Sequence, residues 1–508
     1  MEVATAHRGH VAELYDRVLG QRQLVLASNR GPVEYQYSAD GRQEVRRGSG
    51  GVVTALNSLT QVADFTWVAG AMSEGDRRAW EASGGQPLRS PLPGHRVNVR
   101  FVTTPRRIYH KYYNVFCNPL LWFLQHYMWN SPYNPNIDAT VYDAWDDGYV
   151  PVNQAFAQAV VDQVGTTANQ SVVMLHDYHL YLAPAMVREK APGAIIQHFV
   201  HIPWPATRYW ELLPAYMLEG ICYGLFGADI VGFQTPSDVR NFLDTCESVL
   251  PDVQVDHMAQ SVRCRGHTTY VRCYPISINV DEIRRIASGS RALEYERHLQ
   301  TECGELTIMR VDRAEPSKNV VRGFKAFDLL LTRHPELKGK VVFLAFLVPS
   351  RTHIRQYQRY MEEIRQVVDQ INSTHGTADW TPIRTYLENN YTQAIAGMKL
   401  YDVLLVNSVI DGMNLVAKEG PVVNARDGVL VLSVGAGAHR QLSAGALSVS
   451  PADIEGTMQA MHQALTMAPE ERTRRADVLR TIVERQDNLH WLGTQLQDIE
   501  TLLLQGSG

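Results

Sequence analysis

Leu306-Thr307-Ile308-Met309-Arg310-Val311 is a strand-like run, followed by the charged turn Asp312-Arg313-Ala314-Glu315-Pro316-Ser317-Lys318-Asn319 and an amphipathic stretch over 319–332. Strand, polar turn and helix in that order form the repeating unit of an α/β chain. Outward from this unit the alternation continues in both directions. Strand-like runs lie at 24–28, 66–69, 97–102, 172–175, 195–200, 229–233 and 270–274, and a second series at 306–311, 341–347, 402–407 and 429–433. Several are apolar at consecutive positions, as strands covered on both faces are. Within 351–374, Ile354, Tyr357, Met361, Ile364, Val368 and Ile371 recur every three or four positions and line one helical face. The pattern predicts doubly wound parallel sheets. The stretch 275–304 has no strand pattern and carries Pro275, Asp281 and a charged helix-like segment. It reads as the link between two Rossmann-like domains, and after Pro451 the chain is helical only.

The 508 residues suggest two to four domains at about 100–200 residues each. A composition 45% hydrophobic and 20% charged is that of a globular chain, not a disordered or fibrous one. A net charge of −5 argues against a nucleic-acid or membrane-surface protein, while leaving room for local basic pockets. The longest apolar run, 341–348, is far short of the ~20 residues of a membrane span, and 1–20 lacks a signal-peptide core. A soluble, cytoplasmic protein is expected. The six cysteines include no C-x-x-C pair, so reduced thiols, mostly buried, are expected instead of a disulfide scaffold or structural zinc.

A doubly wound domain binds ligands outside the carboxyl ends of its strands. After the first strand come Ser28-Asn29-Arg30-Gly31-Pro32 and a hairpin-like excursion returning at Gly48-Ser49-Gly50-Gly51 before an apolar helix at 52–59. These glycines either present backbone N–H groups to a phosphate or simply make a tight turn. His176-Asp177-Tyr178-His179 and His198-Phe199-Val200-His201 follow neighbouring strands. They can be read as metal ligands, as hydroxyl-binding and proton-handling groups, or as structural histidines. His198 and His201 are an odd number of residues apart on one strand, which puts them on opposite faces and disfavours a shared metal. Pro316 marks a helix entry, with Arg313 and Lys318 flanking it: either two cations converge there on an anion, or the turn is solvated. In Asp411-Gly412-Met413-Asn414-Leu415-Val416-Ala417-Lys418-Glu419, Gly412 permits close backbone approach. Helix-start N–H groups follow at 414–416, with Glu419 one turn on, placed for ribose hydroxyls.

The ordered set SNRGPV, GSGG, YYN…NPLLW, HDYHLYLAP, HIPWP, GADIVGFQT, VDR…SK and DGMNLVAKEG resembles the trehalose-6-phosphate synthase family over roughly 24–485. The resemblance implies a GT-B architecture of α/β class. Two Rossmann-like domains, an acceptor-binding 1–275 and a nucleotide-sugar-binding 276–470, face each other, and helices at 471–508 return to the first. It implies transfer of glucose from UDP- or GDP-glucose to glucose 6-phosphate, retaining the α-configuration, with no metal or other cofactor.

Carried over position by position, Arg313 and Lys318 grip the donor diphosphate beside Gly51. Glu419 holds the ribose, and Leu415 and Val416 offer backbone N–H groups. Asp411, His201, Met413 and Asn414 contact the transferred glucose. Arg30, Tyr113 and Arg351 bind the acceptor phosphate, with Trp122 and Asp177 along the acceptor sugar. Partners are thus nucleotide-glucose and sugar phosphate, without nucleic acid or membrane, and a homo-oligomer is compatible. The chain departs from the family at Gly70 (an aromatic in W-x-G-W), at Glu315-Pro316 (D-Y), at Asn319 (Gly), at Ile410 (Arg) and along Ser433–Ala438. Relatives with other phosphorylated acceptors also exist, namely glucosylglycerol-phosphate synthases and pseudo-glycosyltransferases. A non-catalytic sugar-phosphate-binding regulator is the reading from outside enzymes, disfavoured by the joint retention of Arg313, Lys318, Asp411, Glu419 and His201.

Overall fold

Among the described residues, twelve strands belong to the first part of the chain: β1 (Gln23–Ser28), β2 (Val33–Tyr37), β3 (Gln43–Arg47), β4 (Phe65–Gly70), β5 (Leu88–Arg89), β6 (Val97–Val102), β7 (Ser171–His176), β8 (Ile195–Phe199), β9 (Ile230–Phe233), β10 (Val253–Asp256), β11 (Ser261–Cys264) and β12 (His267–Cys273). The computed structural model describes residues 11, 13–38, 42–48, 53, 56, 64–130, 133–165, 171–352 and 354–505. They divide into two compact units, Met1–Pro275 with Asn488–Gly508, and Ile276–Asp487.

In the first unit ten strands form one sheet in the order β10-β11-β12-β9-β8-β7-β1-β4-β6-β5. The seven from β12 to β6 are parallel, and β10, β11 and β5 add antiparallel edges. β4 and β7 are buried at every position, which is why they read as unbroken apolar runs. The chain order reverses between β1 and β7, a switch point where helices leave opposite faces and a crevice opens. Of the apolar helix expected at 52–59, only Val53 and Leu56 fall among the described residues, and both are buried.

The second unit holds β13 (Leu306–Ala314), β14 (Val341–Pro349), β15 (Ile383–Tyr386), β16 (Val403–Val406), β17 (Val429–Ser433) and β18 (Leu447–Val449). They are parallel throughout, in the order β15-β14-β13-β16-β17-β18, so its switch point lies between β13 and β16. The helix Arg355–His375 buries Tyr357, Met361, Ile364, Val368 and Ile371, the expected stripe, with Ile354 as the residue before its first turn.

Three expectations change. β13 runs to Ala314 instead of 311, because Arg310 and Asp312 neutralise each other inside the sheet and charged residues can stay on the strand. The stretch 275–304 is no simple link. It forms helices Val280–Ala287 and Ser290–Gln300 of the second unit, whose buried Val280, Ile283 and Ala287 need a covering surface. The break expected after 470 falls after Asp487. The helix Pro469–Arg485 stays in the second unit, where Arg472 Nη2 reaches Asp402 Oδ1 at 3.0 Å. Only Asn488–Gln505 joins the first. There Trp491 packs on Phe199 with ring centroids 5.4 Å apart, and Gln495 Oε1 accepts from Gln197 Nε2 at 2.7 Å. The six cysteines are free thiols, four of them buried.

Candidate active site

At the switch point of the first unit, Asn29 and Arg30 follow β1 while His176 and Asp177 end β7. The Tyr112 hydroxyl ties the two loops together, lying 3.4 Å from Asn29 Oδ1 and 3.3 Å from His179 O. Arg30, exposed, hydrogen-bonds Tyr113. Tyr113 stacks on His179 at 5.9 Å, and His179 Nδ1 faces Asp177 Oδ2 at 3.7 Å. Trp122 joins through Tyr178, whose ring lies 5.7 Å from it and 3.9 Å from His179. Tyr113 and Trp122 sit on one π-helical segment, Lys111–Trp122. Arg30, Tyr113, Trp122 and Asp177 are therefore brought together.

Asp177 has φ +76°, an uncommon conformation for a residue with a side chain, fixed by N–H donation to Phe199 O at 2.8 Å. Burial, the largest influence, disfavours its charge, yet the hydrogen bond from His179, the neighbouring imidazoles and the Tyr178 backbone N–H together outweigh it and hold the carboxyl below its usual range. Its Oδ1 is buried with no hydrogen-bond partner in the protein. A buried carboxylate oxygen without a donor is costly, and it suits a ligand hydroxyl that would supply one.

His201 lies beyond the end of β8 instead of on it, so the two-face argument for His198 and His201 does not apply. Its Nε2 is 3.1 Å from His176 Nδ1. Burial pushes His201 down to about 4 and His176 well below the usual imidazole range, so both are neutral at pH 7. Neutral imidazoles 3.1 Å apart share one proton, which suits hydroxyl recognition. Among the described residues, the one His/Cys/Asp/Glu group with ligand atoms mutually within 4.8 Å is His334, Glu336 and His462, all of the second unit.

Gly70 ends β4. A Cβ there would lie 3.0 Å from Asn29 O and 3.7 Å from Phe156 Cζ. The strand end therefore packs directly on the Asn29 loop. Gly51 lies outside the described residues.

In the second unit the loops after β13 and β16 meet at the switch point. Lys318 Nζ pairs with Asp411 Oδ2, which also accepts from Asn414 Nδ2 at 3.0 Å. Backbone bonds knit the loops: Val409 N–H to Ser317 O at 2.8 Å, Asp411 N–H to Gly435 O and Gly437 N–H to Asp411 O, both at 3.0 Å. A Cβ on Gly437 would lie 1.9 Å from Gly412 O, so this approach requires glycine. Asn319, where the family has glycine, takes φ +58° and donates through Nδ2 to Asn407 O and Pro451 O. Asparagine is among the few residues that tolerate that conformation.

Asn414, at φ +78°, caps the helix Val416–Val423 by accepting from Ala417 N–H at 3.2 Å, with Leu415 leading into the first turn and Met413 buried. Glu419 is buried, bonded by the Tyr391 hydroxyl at 2.9 Å, and pushed by burial up to about 7. Arg351 follows β14 and donates through Nη1 to Glu315 Oε2 at 3.0 Å. Arg313, half exposed, pairs with the other oxygen of the same carboxylate. The turn is thus no solvated loop: Arg310, Asp312, Glu315, Ser317 and Asn319 are all buried.

Sequence reading missed Glu315, Arg310 and Tyr391. Arg310, a cation inside an apolar strand, is a signal of a buried pair; it donates to Asp312 Oδ2 and to Lys318 O at 2.9 Å, bracing the turn that carries Lys318. Tyr391 has no such signal.

Comparison with known proteins follows this geometry. The profile of Glycosyltransferase family 20 matches residues 22–501. The chain is 30% identical to an alpha,alpha-trehalose-phosphate synthase [UDP-forming] of Candida albicans over 93% of its own length and 96% of that protein. It is 29% identical to a validamine 7-phosphate valienyltransferase of Streptomyces hygroscopicus subsp. jinggangensis, covering 94% of each. Against alpha,alpha-trehalose-phosphate synthase A of Dictyostelium discoideum, at 29% identity, it spans 61% of the relative's length. A solved trehalose-6-phosphate synthase superposes with a TM-score of 0.81 at 27% identity, covering 94% of this chain and 99% of that one. A Burkholderia xenovorans synthase in complex with glucose-6-phosphate gives 0.78 at 27%, covering 94% and 100%. With two Rossmann-like units and a family profile spanning nearly its whole length, the chain belongs to glycosyltransferase family 20.

Proposed function

We propose that this protein is a retaining transferase that moves glucose from UDP- or GDP-glucose to glucose 6-phosphate, giving α,α-trehalose 6-phosphate. The observation that carries this reading is the Lys318–Asp411 pair at the switch point of the second unit, with Arg313 on the same turn. Departure of a nucleoside diphosphate builds negative charge, and fixed cations stabilise it where other enzymes use a metal. Asp411, held by Lys318 and Asn414, orients both toward that charge. Glu419 accepts ribose hydroxyls, the N–H groups of Leu415 and Val416 and Gly51 serve the donor, and Met413 and Asn414 border the sugar. On the acceptor side, Arg30, Tyr113 and Arg351 take the phosphate, and Trp122 and Asp177 take the sugar.

In the transfer, the C1–O bond to the diphosphate breaks and a C1–O bond to the acceptor hydroxyl forms on the same face. The leaving phosphate oxygen takes the hydroxyl proton. No carboxylate pair is required as nucleophile and acid, and His201, neutral, hydrogen-bonds the transferred sugar. The reaction needs no metal, and the protein works in the cytoplasm. No helix among the described residues is long and apolar enough to cross a membrane.

A second reading, another phosphorylated acceptor, is favoured by glycine at position 70 in place of an aromatic and by the valienyltransferase relative. The test is a matrix of UDP- and GDP-glucose against glucose 6-phosphate, glycerol 3-phosphate, free glucose and no acceptor, with products assigned by NMR. Two guanidiniums favour a dianion over a neutral sugar, so glucose 6-phosphate is used and free glucose is not. Equal use of free glucose overturns the phosphate clamp; exclusive use of another phosphorylated acceptor overturns the trehalose assignment alone.

A further inference from the structure

Glu315 is fully buried, yet it stands directly after β13 in the turn that carries Lys318. Its Oε1 accepts from Arg313 Nη2 at 3.2 Å and from Ser317 Oγ at 3.3 Å. Its Oε2 accepts from Arg351 Nη1 at 3.0 Å. Arg351 Nη1 also donates to the Tyr357 hydroxyl at 2.9 Å, and its guanidinium carbon lies 5.4 Å from that ring's centroid. Arg351 has φ +45°, so its backbone is held in an unfavoured conformation where the side chain meets Glu315.

A buried carboxylate is costly unless it is paired, and here two cations pair it. The exposures fall in order: the Arg313 side chain is 45% exposed, Arg351 10% and Glu315 0%. The acid thus lies behind the two bases. Two guanidiniums share one carboxylate, one on each oxygen. An anion arriving from solvent meets bases already oriented from behind.

We propose that Glu315 is a positioning residue that aims both phosphate-gripping arginines at once: Arg313 at the donor diphosphate and Arg351 at the acceptor phosphate. This rests on the functional reading above and deepens it. Because one rigid carboxylate supports both guanidiniums, a shift of either oxygen moves a donor contact or an acceptor contact. Neither Arg313 nor Arg351 alone has that double reach.

The experiment compares Glu315→Gln, Glu315→Asp, Arg313→Ala, Arg351→Ala and the double variant Glu315→Gln/Arg351→Ala. Initial rates are measured with UDP-glucose and glucose 6-phosphate varied separately, and thermal unfolding is followed in parallel. Glu315→Gln keeps the volume and removes the charge. It is expected to raise the KM of both substrates and to lower kcat/KM by about 10²-fold, the scale of a misplaced catalytic contact. Arg351→Ala is expected to raise only the acceptor KM, and Arg313→Ala to act on the donor side. In the double variant the acceptor KM should equal that of Arg351→Ala, because a residue acting through Arg351 adds nothing once Arg351 is gone. Glu315→Asp should recover at least tenfold of the loss in kcat/KM by restoring the charge.

Both KM values within twofold of the parent in Glu315→Gln overturn the proposal while the arginine assignments stand. So does an additive double variant, which is what a general loss of structure produces. If instead the two arginine variants leave both substrates unaffected, the functional reading itself fails. Should Glu315→Gln not fold, the same cycle run with Glu315→Asp and Arg351→Ala decides: non-additivity on the acceptor KM supports the proposal and additivity overturns it.

Discussion

The two switch points are built from different chemistry. In the second unit the strand ends carry charge that is already paired: Lys318 with Asp411, Arg310 with Asp312, and Arg313 and Arg351 with Glu315. In the first unit the strand ends carry one cation, Arg30, on Tyr113, and rings and neutral imidazoles around one carboxylate whose Oδ1 has no partner. The difference fits the two tasks proposed above. Cations that must stabilise a leaving diphosphate would repel one another if left alone, so acids hold them apart and aim them. A sugar is recognised by directional hydrogen bonds and by flat apolar faces, which needs an acceptor kept dry and aromatic rings kept rigid.

The largest effect that would break this contrast is on the charged side. Arg313→Ala or Lys318→Ala should lower the transfer rate by about 10²–10³-fold, the cost of one donor to developing charge. Near-normal turnover in either variant would remove the donor assignment. On the ring-lined side, Asp177→Asn should cost about 1.5–3 kcal/mol, which is on the order of ten- to a hundredfold, as an increase in acceptor KM with the donor KM unchanged. An equal rise in the donor KM would erase the division of labour between the two sites.

A smaller effect concerns pH. Glu419 is raised by burial to about 7, so it gains its charge as pH rises through neutrality. Ribose hydroxyls donate best to the ionised form, so donor affinity should tighten about tenfold between pH 6 and 8, following the ionised fraction. The same shift has the opposite sign for folding. The native state holds a proton that the unfolded chain releases at its lower value, so this group's contribution to stability falls as pH rises from about 4.5 to 7. Lys418, lowered by burial to about 7, titrates over the same range. Glu419→Gln separates the two, because it should flatten the donor profile with Lys418 untouched. A profile unchanged in that variant would move the effect to Lys418.

The smallest expected effect is none. Dialysis against EDTA should leave the rate as it was, since Arg313 and Lys318 are proposed to supply the positive charge. Activity lost to chelator and restored by Mg²⁺ or Mn²⁺ would return His176, Asp177 and His179 to consideration as ligands.

Much of the scaffold was legible in the chain because strands covered on both faces leave consecutive apolar residues, as at 172–175 and 341–347, and because a covered helix leaves a stripe such as Tyr357, Met361, Ile364 and Val368. The four-residue antiparallel strands β10 and β11 at one end of the sheet were not, since so short a run buries too little for its alternation to stand out. The motifs likewise marked turns that the structure places just beyond strand ends: Arg30 after β1, Asp177 after β7, Lys318 after β13, and Asp411 to Glu419 after β16.

By itself, then, the sequence determined the class of fold and the residue types at each strand end, because both follow from local patterns of apolarity and turn chemistry. Only the tertiary structure decided the partners. Lys318 and Asp411 are 93 residues apart, Arg351 reaches Glu315 across 36, and Tyr391 finds Glu419 across 28. It also decided that Asp177 keeps an oxygen dry and without a donor, and that Glu419 sits near neutrality. Burial and pairing are properties of what a side chain is packed against. A parallel sheet brings those neighbours together from distant turns, so no local stretch of the chain contains them.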